Sequence, residues 1–411
     1  VPLRYALGSP MTDPQNRLAA HKPATVGLLL MLTLLGVFPI DVVLPSFPAL
    51  SAQFERPSSD IALSVSLYAI GIALAQLVVG PLSDTIGRKQ LLLAGITVAA
   101  IGATGCVVAD EFEFFLLFRI IQALGCGCFV LSQALIQDLF TGDEQPRLRI
   151  FLVTCGGIFI SVSPLVGTWL QGWMDWRGSF LVFIALAVVA FLGACRLLRG
   201  SITDRKPRPL NFMEAYRNVC SDFSFMAYWL TSALAFSCHF SFIVISPLVF
   251  IDQLQLSPQS FSLVLLAYGL AYIGGGAIAA ALSSRIGTQT QIIAGLSLIL
   301  MAGVLMVVSL RYLGTTVMTV LLPMIICTTG TTITRAAAHT LAMNTFPEQA
   351  GTSASAGSVL IFVVGGLTSA AISASALDLQ LTLALCLILL SLLGLMLNAL
   401  VRHRDRALQA G

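Results

Sequence analysis

The sequence predicts an all-α, polytopic membrane protein, with twelve transmembrane helices in two pseudo-symmetric six-helix bundles. Three observations predict it. Of 411 residues, 57% are hydrophobic and only 10% are charged, against about 25% charged in an ordinary soluble domain. The apolar residues fall in long continuous runs without the period-two alternation of a transmembrane β-barrel. Lys and Arg gather in alternate connections between those runs. A soluble globule could not cover its surface with a mean hydropathy of +0.92, which excludes a soluble enzyme, a nucleic-acid binder and a disordered chain. The formal charge of +3 is too small to suggest a polyanionic partner.

A spanning helix needs about 20 apolar residues. Span one is expected at 25–47, after Lys22 and up to the Pro45 region, and span two at 61–82, ending in Gly80-Pro81. Span three, 91–109, lies between Lys89 and the acidic Asp110; span four is 114–137, and span five, 150–171, holds Gly156-Gly157 and Pro164. Span six is 179–196, and a basic polar stretch at 197–222 then divides the chain. Spans seven to twelve follow at 223–250, 261–283, 291–310, 315–337, 352–374 and 380–401, the last stopping at Arg402. The expected organisation is thus a tail (1–24), a first bundle (25–196), a cytoplasmic linker (197–222), a second bundle (223–401) and a second tail (402–411). The first ten residues, which precede Met11, are set aside. The first apolar run leads to Asp41 and Pro45, so no cleavable signal is expected.

With the N-terminal side placed in the cytoplasm, 17 Lys and Arg fall inside, three outside (Arg56, Arg177, Arg311) and two within spans (Arg119, Arg335). That bias sets both termini inside. The nine cysteines show no metal-ligand or disulfide-framework spacing and read as small core residues. The two halves echo each other. Gly80-Pro81-Leu82-Ser83-Asp84-Thr85-Ile86-Gly87-Arg88-Lys89 follows span two, and Ala280-Ala281-Leu282-Ser283-Ser284-Arg285-Ile286-Gly287 follows span eight. Leu, Ser, Ile and Gly match at an offset of 200 residues, while the second copy lacks the Asp and the Arg-Lys pair.

Gly80 to Lys89 resembles the loop signature of the major facilitator superfamily, which implies the major facilitator fold. Gly80 permits close helix packing, Asp84 can pair with Arg88 or cap a helix, Gly87 allows a sharp turn, and Lys89 completes a charge cluster suited to a conformational switch. Three further elements are similar to those of proton-coupled drug antiporters of the bicyclomycin/chloramphenicol-resistance (Bcr/CflA) group. They are Asp41-Val42-Val43-Leu44-Pro45, Gln76 ahead of Gly80, and Arg119-Ile120-Ile121-Gln122-Ala123-Leu124-Gly125; Asp138 and Ala350–Ala356 also fit. The resemblance runs from about residue 25 to 400. It implies a multi-pass protein of the bacterial inner membrane that exports small amphipathic compounds, antibiotics or a secreted metabolite, by alternating access against a proton gradient. No cofactor or metal is expected, and the partners are a small-molecule substrate and the bilayer, with no nucleic acid and no second subunit required.

Asp41 is the only acidic residue well inside a predicted span. It suits proton coupling, or else marks a wet outer end where Pro39 and Pro45 break span one. Arg119, always charged, would tune Asp41 or snorkel to the outer surface; Gln122 shares its helix face. In span five, Ser163-Pro164-Leu165-Val166-Gly167-Thr168 is similar to the antiporter signature, but Ser163 and Thr168 replace two glycines. Pro164 and Gly167 serve bending and close packing in either reading. Phe38, Gln122, Phe236, His239, Tyr268 and Tyr272 are candidate substrate contacts, with core packing the competing role for His239 and the tyrosines. Arg335 suits an anionic substrate or a snorkelling position.

Two other functions share the composition: proton symport for uptake, and an uncoupled facilitator. A membrane-embedded enzyme would need clustered nucleophiles, bases or metal ligands. The four histidines, His21, His239, His339 and His403, are scattered, so no enzyme is expected. No P-loop element is present for a nucleotide-driven pump.

Overall fold

The computed structural model describes residues 14–140, 144–198, 216–217, 220–283, 285–346, 350–375 and 377–410. Most of the expected linker, residues 199–215, lies outside the described residues, as does the tail before Pro14. Every regular element among the described residues is a helix. Among the described residues, eleven helices are long and apolar enough to cross a membrane. They correspond to spans one to four and six to twelve: Lys22–Phe54, Ser58–Gly80, Arg88–Val108, Phe112–Ile136, Arg177–Leu197, Phe223–Gln253, Pro258–Ser283, Thr288–Leu313, Val317–Thr345, Ser353–Ser373 and Leu379–Arg404. Span five lies in the remaining long helix, Glu144–Met174.

Helix contacts repeat with an offset of six spans. In the first half, span one packs on five and six, two on four, and three on four and six. In the second, seven packs on eleven and twelve, eight on ten, and nine on ten and twelve. The halves meet through two helix pairs, two with eleven and five with eight, and the same offset exchanges these pairs. The local geometry repeats too. Ser83 Oγ donates to the Gly80 carbonyl at 2.6 Å, and Ser283 Oγ to the Ala280 carbonyl at 2.7 Å. The halves are therefore two copies of one six-helix unit related by a pseudo-two-fold, as parallel transporter repeats are.

Burial separates central from peripheral helices. In span seven 94% of the apolar window is buried, in span six only 28%. Peripheral helices present Val98, Val188, Leu305, Leu385 and Met396 outward, an apolar surface that only lipid can solvate favourably. Trp169 and Trp173, with ring centroids 5.0 Å apart, stand exposed near the end of span five, and Tyr312 near the end of span nine. Such amphipathic rings suit the membrane–water interface.

Three spans are not continuous α-helices, which the apolar runs did not reveal. The first helix of span one stops at Asp41, and a 3-10 turn at Leu44–Ser46 leads into a short helix, Phe47–Phe54. Pro45 and Pro48 lack the amide protons that an uninterrupted helix would use. Span four passes from Phe112–Cys126 through a 3-10 turn at Gly127–Val130 into Leu131–Leu139. Span seven ends in a π-helical turn, Leu248–Gln253, directly after Pro247. At its start Asp222 caps the helix, its carboxylate accepting from the Phe225 amide at 2.7 Å.

Candidate functional site

The first cluster forms at the break in span one. Asp41 ends the helix and is 6% exposed. Among the described residues it makes no ion pair and no side-chain hydrogen bond. Span five closes over this break. A Cβ on Gly167 would stand 2.1 Å from the Val42 carbonyl oxygen, so only glycine lets the helices approach this closely. The carbonyl of Pro164, one turn earlier, accepts from Ser262 Oγ of span eight at 3.1 Å and from Thr168 Oγ1 at 3.2 Å. Phe38, a turn before Asp41, is buried in the core.

Arg119 is 1% exposed, so it does not snorkel. Its Nη1 donates to Gln122 Oε1 at 2.8 Å and its Nη2 to the Pro39 carbonyl at 3.2 Å. The guanidinium lies 4.2 Å over the Tyr68 ring and 5.7 Å from that of Phe180. Among the described residues Arg119 makes no ion pair with Asp41, the carboxyl it was expected to tune. Arg119 instead ties span four to the carbonyl two residues before Asp41, and so braces the end of that helix. Satisfaction is incomplete: Arg119 Nε, Gln122 Nε2 and Ser179 Oγ are buried without partners. Gln122 and Ser179 line a small pocket with Pro39, Val42 and Val43, suited to a bridging water.

The second cluster lies in the other half. His239 Nδ1 is 2.5 Å from the Tyr268 hydroxyl and 3.3 Å from Thr328 Oγ1. His239 and Tyr268 are 6% and 2% exposed, so both belong to the packed core and form a wall behind the cluster. In front of them Phe236, Tyr272 and Arg335 are partly exposed, and Arg335 touches both aromatic side chains. Arg335 Nη1 donates to the Tyr272 hydroxyl at 3.3 Å, and its guanidinium lies 4.8 Å from the Phe236 ring. Spans seven, eight and ten thus converge on Arg335, which turns into the bundle and does not snorkel.

The loop joining spans two and three builds a third cluster. Gly87 adopts a φ of 101°, a conformation that favours glycine. Arg88 pairs with Asp138 at the end of span four, at 2.7 Å, both side chains being mostly buried. Lys89 Nζ donates to the Cys195 carbonyl at 3.1 Å, at the C-terminal end of the span-six helix, where a cation is favourable. The side chain of Asp84 lies outside the described residues. Gly80 and Gln76 face span eleven: a Cβ on Gly80 would meet Ser355 Oγ at 3.0 Å. Ser355 Oγ donates to the Gln76 carbonyl at 2.8 Å, and Ser358 Oγ to Gln76 Oε1. Two motifs almost 280 residues apart therefore form one contact between the halves.

Sequence reasoning missed two contacts at the opposite end. Thr168 Oγ1 and Ser262 Oγ are 2.6 Å apart, and Ser46 Oγ donates to Gln171 Oε1 at 3.4 Å. Thr168 stood out only as a missing glycine, and Ser262 carried no signal.

Paired six-helix bundles with charged side chains buried at a helix break and between packed helices define a membrane transport protein. The chain belongs to the Major Facilitator Superfamily, which residues 29–370 match. It is 28% identical to the MFS-type transporter YdgK of Bacillus subtilis, over 86% of this chain and 89% of that protein. It is 25% identical to a chloramphenicol resistance protein of Pseudomonas aeruginosa, over 84% of this chain and 81% of that protein. It is 28% identical to the multidrug transporter MdfA of Escherichia coli O157:H7, over 62% of this chain and 63% of that protein. A crystal structure of a D-xylose–proton symporter superposes with a TM-score of 0.72 at 16% identity, covering 91% of this chain and 97% of that one; that likeness concerns the fold.

Proposed function

We propose that this protein exports small amphipathic compounds from the bacterial cytoplasm in exchange for protons, with both termini on the cytoplasmic face of the inner membrane. The observation that carries the coupling is Asp41: a buried carboxyl without a counter-charge among the described residues, at a helix break that span five touches directly. A carboxylate in low dielectric without a partner is costly, and taking up a proton removes that cost. Rocking of the halves about the two-with-eleven and five-with-eight contacts would move span five against span one. That motion would change the surroundings of Asp41 as access alternates. One proton adds to the carboxylate when the site faces outside and leaves when it faces inside. Export as the direction, and a drug-like substrate, draw on the relatives described as chloramphenicol resistance protein and multidrug transporter. The proton gradient supplies the drive, with no cofactor, no catalytic residue, no nucleic acid and no second subunit.

Chloramphenicol added to detergent-purified protein at low buffering tests the coupling. The expected result is acidification in wild type and none in Asp41→Asn, with chloramphenicol binding retained in both. Acidification that survives Asp41→Asn would remove Asp41 as the proton site. Binding without acidification in either protein would point to symport or uncoupled transport.

A further inference from the structure

The second half holds an intramembrane cation that no anion pairs with among the described residues. Between residues 223 and 401 the acidic residues are Asp252, Glu348 and Asp378, all outside the expected spans. Arg335 lies ten residues before the end of the helix Val317–Thr345, about 15 Å along its axis. No acidic side chain pairs with it among the described residues. The groups around it are neutral or basic: Tyr272, Phe236, His239 and, one turn on, His339, whose ring packs edge-on to Trp229 at 5.0 Å. An unpaired guanidinium inside a membrane bundle is expensive and marks a functional site by default.

The free donors have a direction. Nη1 is engaged by Tyr272, whereas Nε is buried without a partner and Nη2 makes no bond among the described residues. Nε and Nη2 form the guanidinium edge that grips a carboxylate with two parallel hydrogen bonds. Beside the guanidinium, 4.8 Å from its Cζ to the Phe236 centroid, lies an aromatic slab. Phe236 stacks on Phe240, with centroids 5.4 Å apart and planes within 18°, and meets Phe362 of span eleven edge-on at 5.6 Å. Phe236, Tyr272 and Phe362 all keep part of their surface open.

We infer that Arg335 and the Phe236–Tyr272 face form a binding site for an amphipathic organic acid, its carboxylate on the Nε–Nη2 edge and its aromatic ring against Phe236. This deepens the exporter reading and rests on it for transport, but the site itself is defined by binding. It adds a class of cargo, aromatic carboxylates, that Asp41 alone does not suggest.

The test uses full-length protein in detergent and two isosteric probes, 2-naphthoate and its neutral counterpart 2-naphthamide, in equilibrium dialysis at pH 7. Wild type is expected to bind the carboxylate at least about tenfold more tightly. Arg335→Gln is expected to erase that preference while 2-naphthamide affinity stays within about twofold. Arg335→Lys, a point charge without the planar fork, is expected to keep part of it. Equal wild-type affinities, or a preference that survives Arg335→Gln, overturns the proposal. The wild-type comparison needs no variant, so a misfolded Arg335→Gln does not shield it. Arg335-dependent naphthoate binding by a protein that moves neither naphthoate nor chloramphenicol in proteoliposomes supports the site and overturns the exporter reading. Chloramphenicol transport without any naphthoate preference does the reverse.

Discussion

Gly167 of span five and Val42 of span one are in backbone contact: a Cβ at 167 would stand 2.1 Å from the Val42 oxygen and 3.0 Å from its carbonyl carbon. The obstacle is main chain, which no rotamer change can move. The contact lies one residue from Asp41, so the position of span five and the surroundings of that carboxyl are coupled.

Gly167→Ala is therefore expected to separate the helices, lowering stability by about 1–3 kcal/mol and transport by about tenfold or more. Gly157→Ala in the same helix, where the nearest atom to a new Cβ is Ile273 Cγ1 at 3.5 Å, is the matched control and should behave as wild type. Thermal melting and chloramphenicol transport in proteoliposomes check both. Equal behaviour of the two variants would show that the Val42 contact is not restrictive.

Arg119 bridges two acceptors, Gln122 and the Pro39 carbonyl, and a single ammonium cannot reproduce that fork. Arg119→Lys should keep the charge yet lose most transport. A double-mutant cycle of Arg119→Lys with Gln122→Leu should give a coupling of about 1–3 kcal/mol in stability. Additivity within error would dissociate the two side chains.

Arg88 and Asp138 are an ion pair with side chains only 12% and 16% exposed. Removing one partner leaves the other charge uncompensated. Arg88→Asp and Asp138→Arg should each abolish transport, and the combined exchange should recover a measurable fraction. A double exchange no better than either single change would mean that Arg88 has another role, such as its bond to the Ala134 carbonyl.

Thr168 and Ser262 join the halves at the end opposite the Gly80–Lys89 loop, with oxygens 2.6 Å apart. Alternating access requires this contact to open. Thr168→Cys with Ser262→Cys, in a background where the exposed Cys220 is replaced, should cross-link under mild oxidation, stop transport and recover with dithiothreitol. Full transport by the oxidised, cross-linked protein would mean that spans five and eight do not part at this level.

Composition and punctuation determine much of this protein on their own. Apolar runs of about 20 residues must become helices in lipid, since no other single segment satisfies its backbone there. The repeated Leu-Ser-Ile-Gly pattern marks the two halves, and its structural counterpart is the pair of hydrogen bonds from Ser83 and Ser283. Isolated charges in apolar runs, Asp41, Arg119 and Arg335, are conspicuous because burying them is expensive. Partnership was the part decided only in three dimensions. Arg119 takes Gln122 and a carbonyl near Asp41, not the carboxyl itself; His239 and Tyr268 satisfy each other in the core; Gln76 meets Ser355 and Ser358 from the other half. The physical reason is that helix formation in lipid is local, set by each segment's own hydropathy. Hydrogen bonds between helices depend on rotation, on breaks such as that after Asp41, and on close backbone approaches like that of Gly167 to Val42. Those arise only when all twelve spans pack together.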